Sequence, residues 1–203
     1  MGFERNQSVW GHHYTQDRSR QDFPDENIVR YIQRYLRNNG ENRAKPTILD
    51  LGSGSGRNLK YIRSVCKNTV GSDFSIEALR GQDSVVCSMA DDIPFHNNSF
   101  DLIIAWGLLH YLPKKQMHNC ILEMKRILKP GGRIFGTLRS DQDTHLQNVL
   151  EKGDLSGANA NIYSKDELIE LFPDFAHVNT GHISRQPIGE DSTIAHHMFE
   201  AVL

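Results

Sequence analysis

The chain has 203 residues, with 23 Lys plus Arg against 25 Asp plus Glu, so its formal net charge is −2. Its length fits one domain with a sizeable apolar core, and 38% hydrophobic with 24% charged residues exclude a disordered or fibrous protein. The near-neutral balance disfavours a dedicated nucleic-acid binder, because contact with phosphates normally requires an excess of basic residues.

The sequence indicates neither a membrane segment nor a secretion signal. The longest nearly uncharged stretch, Leu102 to Leu112, is much shorter than the roughly 20 apolar residues of a membrane helix. The first residues contain no apolar run typical of a signal peptide, and three widely spaced cysteines predict neither disulfides nor a zinc site. We therefore expect a cytoplasmic protein with no membrane partner.

Helical patterns alternate with short apolar runs along the first two thirds of the chain. After Asp25, the spacing of Ile28, Ile32 and Leu36 predicts an amphipathic helix. The predicted strands are Thr47–Leu51, Thr69–Gly71, Ser84–Ser88, Phe100–Ala105 and Arg133–Leu138, and the helices between them are Asn58–Cys66, Ile76–Arg80 and Lys114–Leu128. This order predicts parallel βαβ units.

The pattern after Leu138 is less regular. A helix is predicted over Asp141 to Glu151, a capping box at Ser164 opens a short helix, and two strands, Phe175–His182 and Thr193–Val202, form a hairpin. The predicted fold is α/β, with a doubly wound, mostly parallel seven-stranded sheet that ends in a C-terminal antiparallel hairpin. We expect a single domain over residues 1–203, with an arm or lid (1–24), a cofactor-binding core (25–138) and substrate-side loops (139–203).

A glycine-rich turn follows the first predicted strand and opens a helix, which is where open α/β sheets bind ligands. Its glycines are Gly52, Gly54 and Gly56. A dinucleotide fingerprint would require glycine where Arg57 stands, and no Gly-Lys-Ser/Thr sequence of a phosphate loop is present. Asp50 before the turn would repel an anion but would attract a ligand that carries an ammonium and a sulfonium.

The segment from Asp50 to Gly56 resembles the first motif of the class I S-adenosylmethionine-dependent methyltransferases, and ordered motifs extend the resemblance over about Ile28 to Leu138. It implies a Rossmann-like methyltransferase fold that binds S-adenosyl-L-methionine. In the second motif, Asp73 would bind both ribose hydroxyls and Phe74 would lie against the adenine; the alternative for Asp73 is a helix N-cap. The implied cofactor-binding residues are Asp50, Gly52, Ser53, Gly54, Gly56, Asn58, Asp73, Phe74, Ala90, Asp91, Trp106 and Gly107.

Two of these assignments have alternatives. The family usually has an acid where this chain has Met89, so adenine recognition is assigned to Ala90 and Asp91, against a plain loop role for both. Trp106 and Gly107 would border the sulfonium at the end of the fourth strand, whereas the alternative for Trp106 is core filling.

Candidate residues for the acceptor side lie near both ends of the core. The nearest candidate for a general base is His110, whose alternative role is structural hydrogen bonding. An N-terminal lid would exclude water from the sulfonium, and the alternative is a surface arm packed on helix Asn27–Asn38. The predicted lid or substrate residues are Trp10, His13, Tyr14, Arg18 and Tyr111. No metal site is predicted, because His196 and His197 alternate along a strand and face opposite ways.

The leading hypothesis is a methyltransferase that moves a methyl group to an N or O atom of a small molecule. It involves no nucleic-acid partner and is compatible with a homodimer. One alternative is a non-catalytic cofactor-binding partner protein, and another is a nicotinamide-dependent oxidoreductase, against which Arg57 and Asp50 count.

Overall fold

A computed structural model describes residues 2–16, 20–39, 45–146, 150–151 and 155–203, with side chains from residue 8 onward. Arg18, Gly40 and parts of the predicted helix 141–151 and of the loop after it lie outside these residues. The helices are α1 Gly2–Tyr14, α2 Glu26–Asn38, α3 Arg57–Val65, α4 Ile76–Leu79, α5 Lys114–Ile127 and α6 Lys165–Glu170. The strands are β1 Ile48–Leu51, β2 Thr69–Asp73, β3 Val85–Cys87, β4 Phe100–Ala105, β5 Leu128–Ser140, β6 Ile162–Tyr163, β7 His177–Arg185 and β8 Ile194–Val202.

One mixed sheet carries the fold, in the strand order β3-β2-β1-β4-β5-β8-β7. The first five strands of this order are parallel, and β8 and β7 continue the sheet as the antiparallel hairpin. The predicted doubly wound α/β fold is confirmed. An eighth strand, the two-residue β6, pairs with β5 and is too short for the sequence pattern to indicate.

Apolar side chains pack on both faces of the central strands, which explains why β1 is buried at every position. One core cluster includes Ile103 with residues of α5 and α6, and the other includes Ile28 and Ile32 of α2 with Ile48. The i, i+3, i+4 spacing of the apolar residues gives α2 one buried face, and Asp25 caps its first turn by accepting a hydrogen bond from the Asn27 backbone N–H at 2.9 Å.

The sequence Lys129-Pro130-Gly131-Gly132 is typical of a turn that joins a helix to a strand, but in the structure this segment lies within β5. Leu128 already pairs with Phe100 across the sheet, and the ladder resumes at Arg133 opposite Leu102, so the segment bulges out of β5. Gly131 adopts a positive φ of 74° at the bulge. The early pairing of Leu128 with β4 is a tertiary contact, and a local turn pattern does not show it.

The N-terminal segment also differs from a plain polar arm, because residues 2–14 form the helix α1. This helix lies against α4, and the Arg20 side chain donates a hydrogen bond to the Glu77 carbonyl of α4 at 2.8 Å. At the other end of the chain, the capping box at Ser164 is confirmed in α6. Within the described part of the chain, no helix combines the length and apolar character that crossing a membrane requires.

Candidate active site

A cavity of about 760 Å³ opens at the carboxyl ends of β1 and β4, where the strand order reverses. Its volume is within the range of roughly 300–1,000 Å³ that is typical of small-molecule sites. The glycine turn forms one wall, α1 covers it, and the C-terminal hairpin closes the far end. The predicted residues that line it are Gly52, Ser53, Gly54, Asn58, Asp73, Phe74, Trp106, Gly107, Trp10, His13, Tyr14 and Tyr111.

The glycine turn requires backbone conformations that other residues rarely adopt. Gly54 and Gly56 have positive φ angles of 55° and 81°, and Gly56 is the N-cap of α3. Gly54 also has no room for a side chain, because a Cβ there would come within 2.5 Å of Tyr14 Oη. Gly56 lies beneath the side chain of Gln82, which donates a hydrogen bond to the Gly54 carbonyl at 2.9 Å, and Gly56 does not line the cavity.

Asp73 stands at the end of β2 with its carboxylate anchored to two backbone groups. Oδ2 accepts a hydrogen bond from the Gly54 N–H and Oδ1 from the Ser75 N–H, both at 2.9 Å. Burial raises the pKa of Asp73, and these N–H donors oppose the rise. The alternative role of Asp73 as N-cap of the next helix is wrong, because Ser75 caps α4 by accepting a hydrogen bond from the Ala78 N–H. Each oxygen of Asp73 retains a lone pair for a ligand.

Asp50 lies just beneath the glycine turn and is only 2% exposed. Burial and the nearby charge of Asp73 raise the pKa of Asp50 to about 7, and the Arg57 charge opposes the rise. Asp50 Oδ2 and Ser53 Oγ are buried and have no hydrogen-bond partner among the described residues. Unpaired buried acceptors are costly, so this pair of atoms fits a ligand that brings hydrogen-bond donors or a positive charge.

Trp106 and Gly107 follow β4 at the middle of the cavity. The Trp106 ring lies 5.4 Å from the Phe135 ring and also lines the cavity, so it fills the core on one side and offers its aromatic surface on the other. Gly107 has a φ of 71°, and its N–H donates to Thr137 Oγ1 at 3.0 Å. This bond ties the end of β4 to β5.

Helix α1 contributes aromatic side chains that cover the cavity. The Trp10 ring packs on the Tyr111 ring at 4.8 Å and on the His13 ring at 5.2 Å. Tyr14 lies between the glycine turn and this cluster, and burial together with the negative charge of Asp73 raises its pKa, so the phenol stays protonated. The predicted lid residue Arg18 lies outside the described residues.

The structure does not bring Asp50, Ala90, Asp91 or His110 to the lining of the cavity. Ala90 packs in the core cluster that faces α5, and Asp91 Oδ1 accepts a hydrogen bond from Gln116 Nε2 at 3.5 Å. Both side chains therefore make contacts within the protein that stabilise the loop, and this placement does not favour them as adenine ligands.

His110 is 1% exposed, in a 3-10 turn after β4. Burial, His196 and Arg139 lower the pKa of His110 well below its usual value, so the ring is neutral. Because the ring lies beneath the surface and does not line the cavity, this placement does not support the assignment of His110 as a general base. The His110 backbone carbonyl accepts a hydrogen bond from the Asn161 N–H at 2.8 Å, whereas the ring Nδ1 is buried without a hydrogen-bond partner among the described residues and does not support the alternative role in structural hydrogen bonding.

Several residues of the cavity were missed at the sequence level. Arg57 follows the glycine turn, and six others belong to β5, β7, β8 and a loop, namely Thr137, Leu155, Ile183, Arg185, Ile194 and His196. The alternation of β7 and β8 was visible in the sequence, but it does not show which face is turned to the cavity. No group of three His, Cys, Asp or Glu side chains within the described ranges is arranged to hold a metal ion.

Comparison with known proteins relates the segment from β1 through most of β5 to one family. Residues 49–136 match the family model described as "Methyltransferase domain". A human relative, "Probable tRNA methyltransferase 9B", is 37% identical over 94 residues, which cover 43% of this chain and 20% of the relative. "Demethylmenaquinone methyltransferase" of Clavibacter sepedonicus is 34% identical over 149 residues, 63% of this chain and 59% of the relative. The chain thus spans about a fifth of the length of the first relative.

Solved structures share the fold over most of the chain. One, described as "Complex between the Haloferax volcanii Trm112 methyltransferase activator and the putative methyltransferase", superposes with a TM-score of 0.70 at 20% identity, covering 95% of this chain and 96% of that one. A SAM-dependent methyltransferase from Archaeoglobus fulgidus superposes with a TM-score of 0.64 at 13% identity, covering 88% and 94%. At these identities the likeness is one of fold.

Proposed function

We propose that this chain, in which residues 49–136 match a methyltransferase domain, is a class I S-adenosylmethionine-dependent methyltransferase that transfers a methyl group from S-adenosyl-L-methionine to an N or O atom of a small molecule. The observation that carries the proposal is the buried carboxylate of Asp73, which lines the cavity beside a left-handed glycine turn, with the buried Asp50 beneath that turn. Arg57 in place of a third glycine disfavours a dinucleotide in the same turn.

The described residues fit this cofactor on their own chemistry. The unpaired Oδ2 of Asp50 and Oγ of Ser53 suit the ammonium group of its methionine part, and Asp73 has lone pairs left for two ribose hydroxyls. Phe74 lines the cavity beside Asp73 and offers an aromatic face to the adenine.

When bound, the cofactor supplies a methyl group that is activated by a positively charged sulfur. The chain then has to align the acceptor with that group, and alignment alone supplies about 7–11 kcal/mol of the barrier reduction in well-oriented reactions. Trp106 borders the middle of the cavity, where its ring favours a nearby cation. Trp10, Tyr14 and Tyr111 cover the cavity and exclude water.

A small acceptor is supported by the shape and charge of the protein. The helix α1 covers the cavity, and the net charge of −2 gives no overall excess of basic residues for a phosphate backbone. We assign the segment 1–24 to the lid, 25–138 to cofactor binding and 139–203 to the acceptor side of one domain. A homodimer is compatible with this arrangement.

Titration calorimetry with S-adenosylhomocysteine tests the cofactor part of the proposal. We expect binding to the wild type and much weaker binding to Asp73→Ala. Incubation with methyl-labelled cofactor and a small-molecule fraction should then transfer the label to a small molecule. Failure of the folded wild type to bind S-adenosylhomocysteine would overturn the proposal at its first step.

RNA is a second candidate acceptor, which is favoured by the name of the human relative that matches 43% of this chain. The same labelling experiment with total RNA decides between the two, with nuclease-treated RNA as the control. Binding of S-adenosylhomocysteine without transfer to either fraction, together with a stable complex with a larger protein, would favour a non-catalytic partner. The solved complex with an activator makes a partner protein worth this test.

A further inference from the structure

The C-terminal hairpin turns one face toward the cavity, and its strand register shows which residues share that face. Ile183 lies directly opposite His196, and Arg185 lies opposite Ile194. All four residues line the cavity. Because directly opposed residues of an antiparallel pair point to the same side, they form one continuous surface. We call Ile183, Arg185, Ile194 and His196 the hairpin patch.

His196 offers a neutral ring at the inner end of the hairpin patch. Arg139 of β5 lies opposite His196 and forms a nearly completely buried ion pair with Asp143 at 2.7 Å. Burial and the Arg139 charge lower the pKa of His196 to about 4, so the ring is neutral at pH 7 and keeps one nitrogen as a hydrogen-bond acceptor. The Asp143 carboxylate accepts a hydrogen bond from the Ala195 N–H at 2.7 Å, which fixes the Arg139–Asp143 ion pair beside the hairpin patch.

Arg185 gives the outer end of the patch a positive charge, and it forms no ion pair with the residues that the structure describes. Two acids of the facing wall are already engaged. Asp25 caps α2, where the helix dipole partly offsets its charge, and Glu26 lies 3.9 Å from Arg30. Arg185 is therefore a cation without an ion-pair partner among the described residues, at an end of the cavity that Asp25 and Glu26 also line.

We propose that the hairpin patch binds the methyl acceptor, and that the acceptor is an organic carboxylate with a flat apolar body and a hydroxyl or amino group; this inference rests on the proposed methyltransferase function. Arg185 pairs with the carboxylate, His196 accepts a hydrogen bond from the hydroxyl or amino group, and Ile183 and Ile194 cover the body between them. Arg185 and His196 occupy diagonal positions on paired strands, about 7–8 Å apart. This separation is between backbone positions, and one aromatic ring with substituents at opposite ends matches its scale.

The test uses the full chain saturated with S-adenosylhomocysteine. Benzoate, 4-hydroxybenzoate and 3-phenylpropanoate are titrated by calorimetry, each against its neutral carboxamide. We expect each carboxylate to bind about 10-fold or more tightly than its carboxamide, and Arg185→Gln to weaken carboxylate binding by about 10- to 100-fold while the carboxamides are unaffected. Arg185→Lys should recover part of the loss, because it restores the charge without the planar fork.

Arg80→Gln is the matched control, since it removes the same charge from an exposed position outside the cavity. Equal binding of carboxylates and carboxamides, no binding of either, or equal losses in the Arg185 and Arg80 variants would overturn the inference. In each of these outcomes the wild type still binds S-adenosylhomocysteine, so the proposed function survives. Loss of that binding in the wild type would instead remove the proposed function.

A second variant tests His196 separately. The ratio of the affinities for 4-hydroxybenzoate and benzoate measures the hydrogen bond to the hydroxyl of the ligand. We expect this advantage to be about 3- to 10-fold, and we expect His196→Phe to remove it while benzoate binding is retained. Rescue by His196→Asn, which keeps an acceptor, would separate hydrogen bonding from packing. An advantage that persists in His196→Phe would overturn the role of His196 in acceptor binding.

Discussion

Replacing Asp73 by Ala should weaken the binding of S-adenosylhomocysteine more than any other single change in the glycine-turn wall. Each Asp73 oxygen accepts one backbone hydrogen bond at 2.9 Å and has a lone pair left for the ligand. Hydrogen bonds to a charged group contribute about 1.5–3 kcal/mol, so the loss should raise the dissociation constant roughly 10- to 150-fold. Titration calorimetry measures this change directly.

The same substitution affects stability, and the two effects have to be separated. Asp73→Ala leaves the N–H groups of Gly54 and Ser75 without their acceptor, at a cost of about 1–3 kcal/mol each. Thermal unfolding of each variant therefore precedes calorimetry, which is carried out where the protein is folded. Asp73→Asn keeps one oxygen acceptor, and Asp83→Asn removes the same charge at an exposed position outside the cavity. Wild-type affinity in folded Asp73→Ala would contradict the ribose assignment.

Three further changes test other parts of the site. Burial raises the pKa of Asp50 to about 7, so affinity for the ammonium-bearing ligand should increase up to about 10-fold between pH 6 and 8 as this carboxyl ionises. The Asp50 contribution to stability should decline between about pH 4 and 7, since the folded state binds the proton more tightly than the unfolded chain. Gly54→Ala should lower the free energy of unfolding by at least about 1–2 kcal/mol, because an alanine at this position combines a positive φ with a clash against Tyr14. Thermal unfolding measures this loss. His110→Ala should reduce thermal stability and leave affinity for S-adenosylhomocysteine unchanged, because the ring is buried outside the cavity lining. Thermal unfolding measures the first effect and titration calorimetry the second.

The predictions for Asp50 and Gly54 each have a control variant in the same chain. Asp50→Asn should flatten both pH profiles, and a pH dependence of affinity that persists in it would point to another group. Gly131→Ala meets a similar φ of 74° in open space, so it measures the backbone cost alone; an equal loss in both glycine variants would exclude a clash with Tyr14. For His110, a large loss of turnover in stable, cofactor-binding protein would restore its role as a general base.

The glycine turn and the carboxylate of Asp73 were predictable because their geometry is local or follows from parallel strands. A strand, a turn with positive φ and a helix succeed one another within a dozen residues around Gly54, and each step has its own residue preference. Asp73 ends the strand that pairs beside β1, so any parallel sheet brings it to the same edge. The α/β architecture likewise follows from the alternation of apolar runs and amphipathic segments.

The acceptor end of the cavity required the tertiary structure. His196 meets Arg139 and Ile183 through strand pairing between distant parts of the chain, and a periodicity of two leaves open which face of each strand looks into the cavity. His110 follows a strand that ends at the site, yet packing turns its ring into the interior. Local spacing thus predicted a nucleoside site at the glycine turn, whereas the surroundings of the proposed acceptor site depend on contacts that form only when β5, β7 and β8 come together.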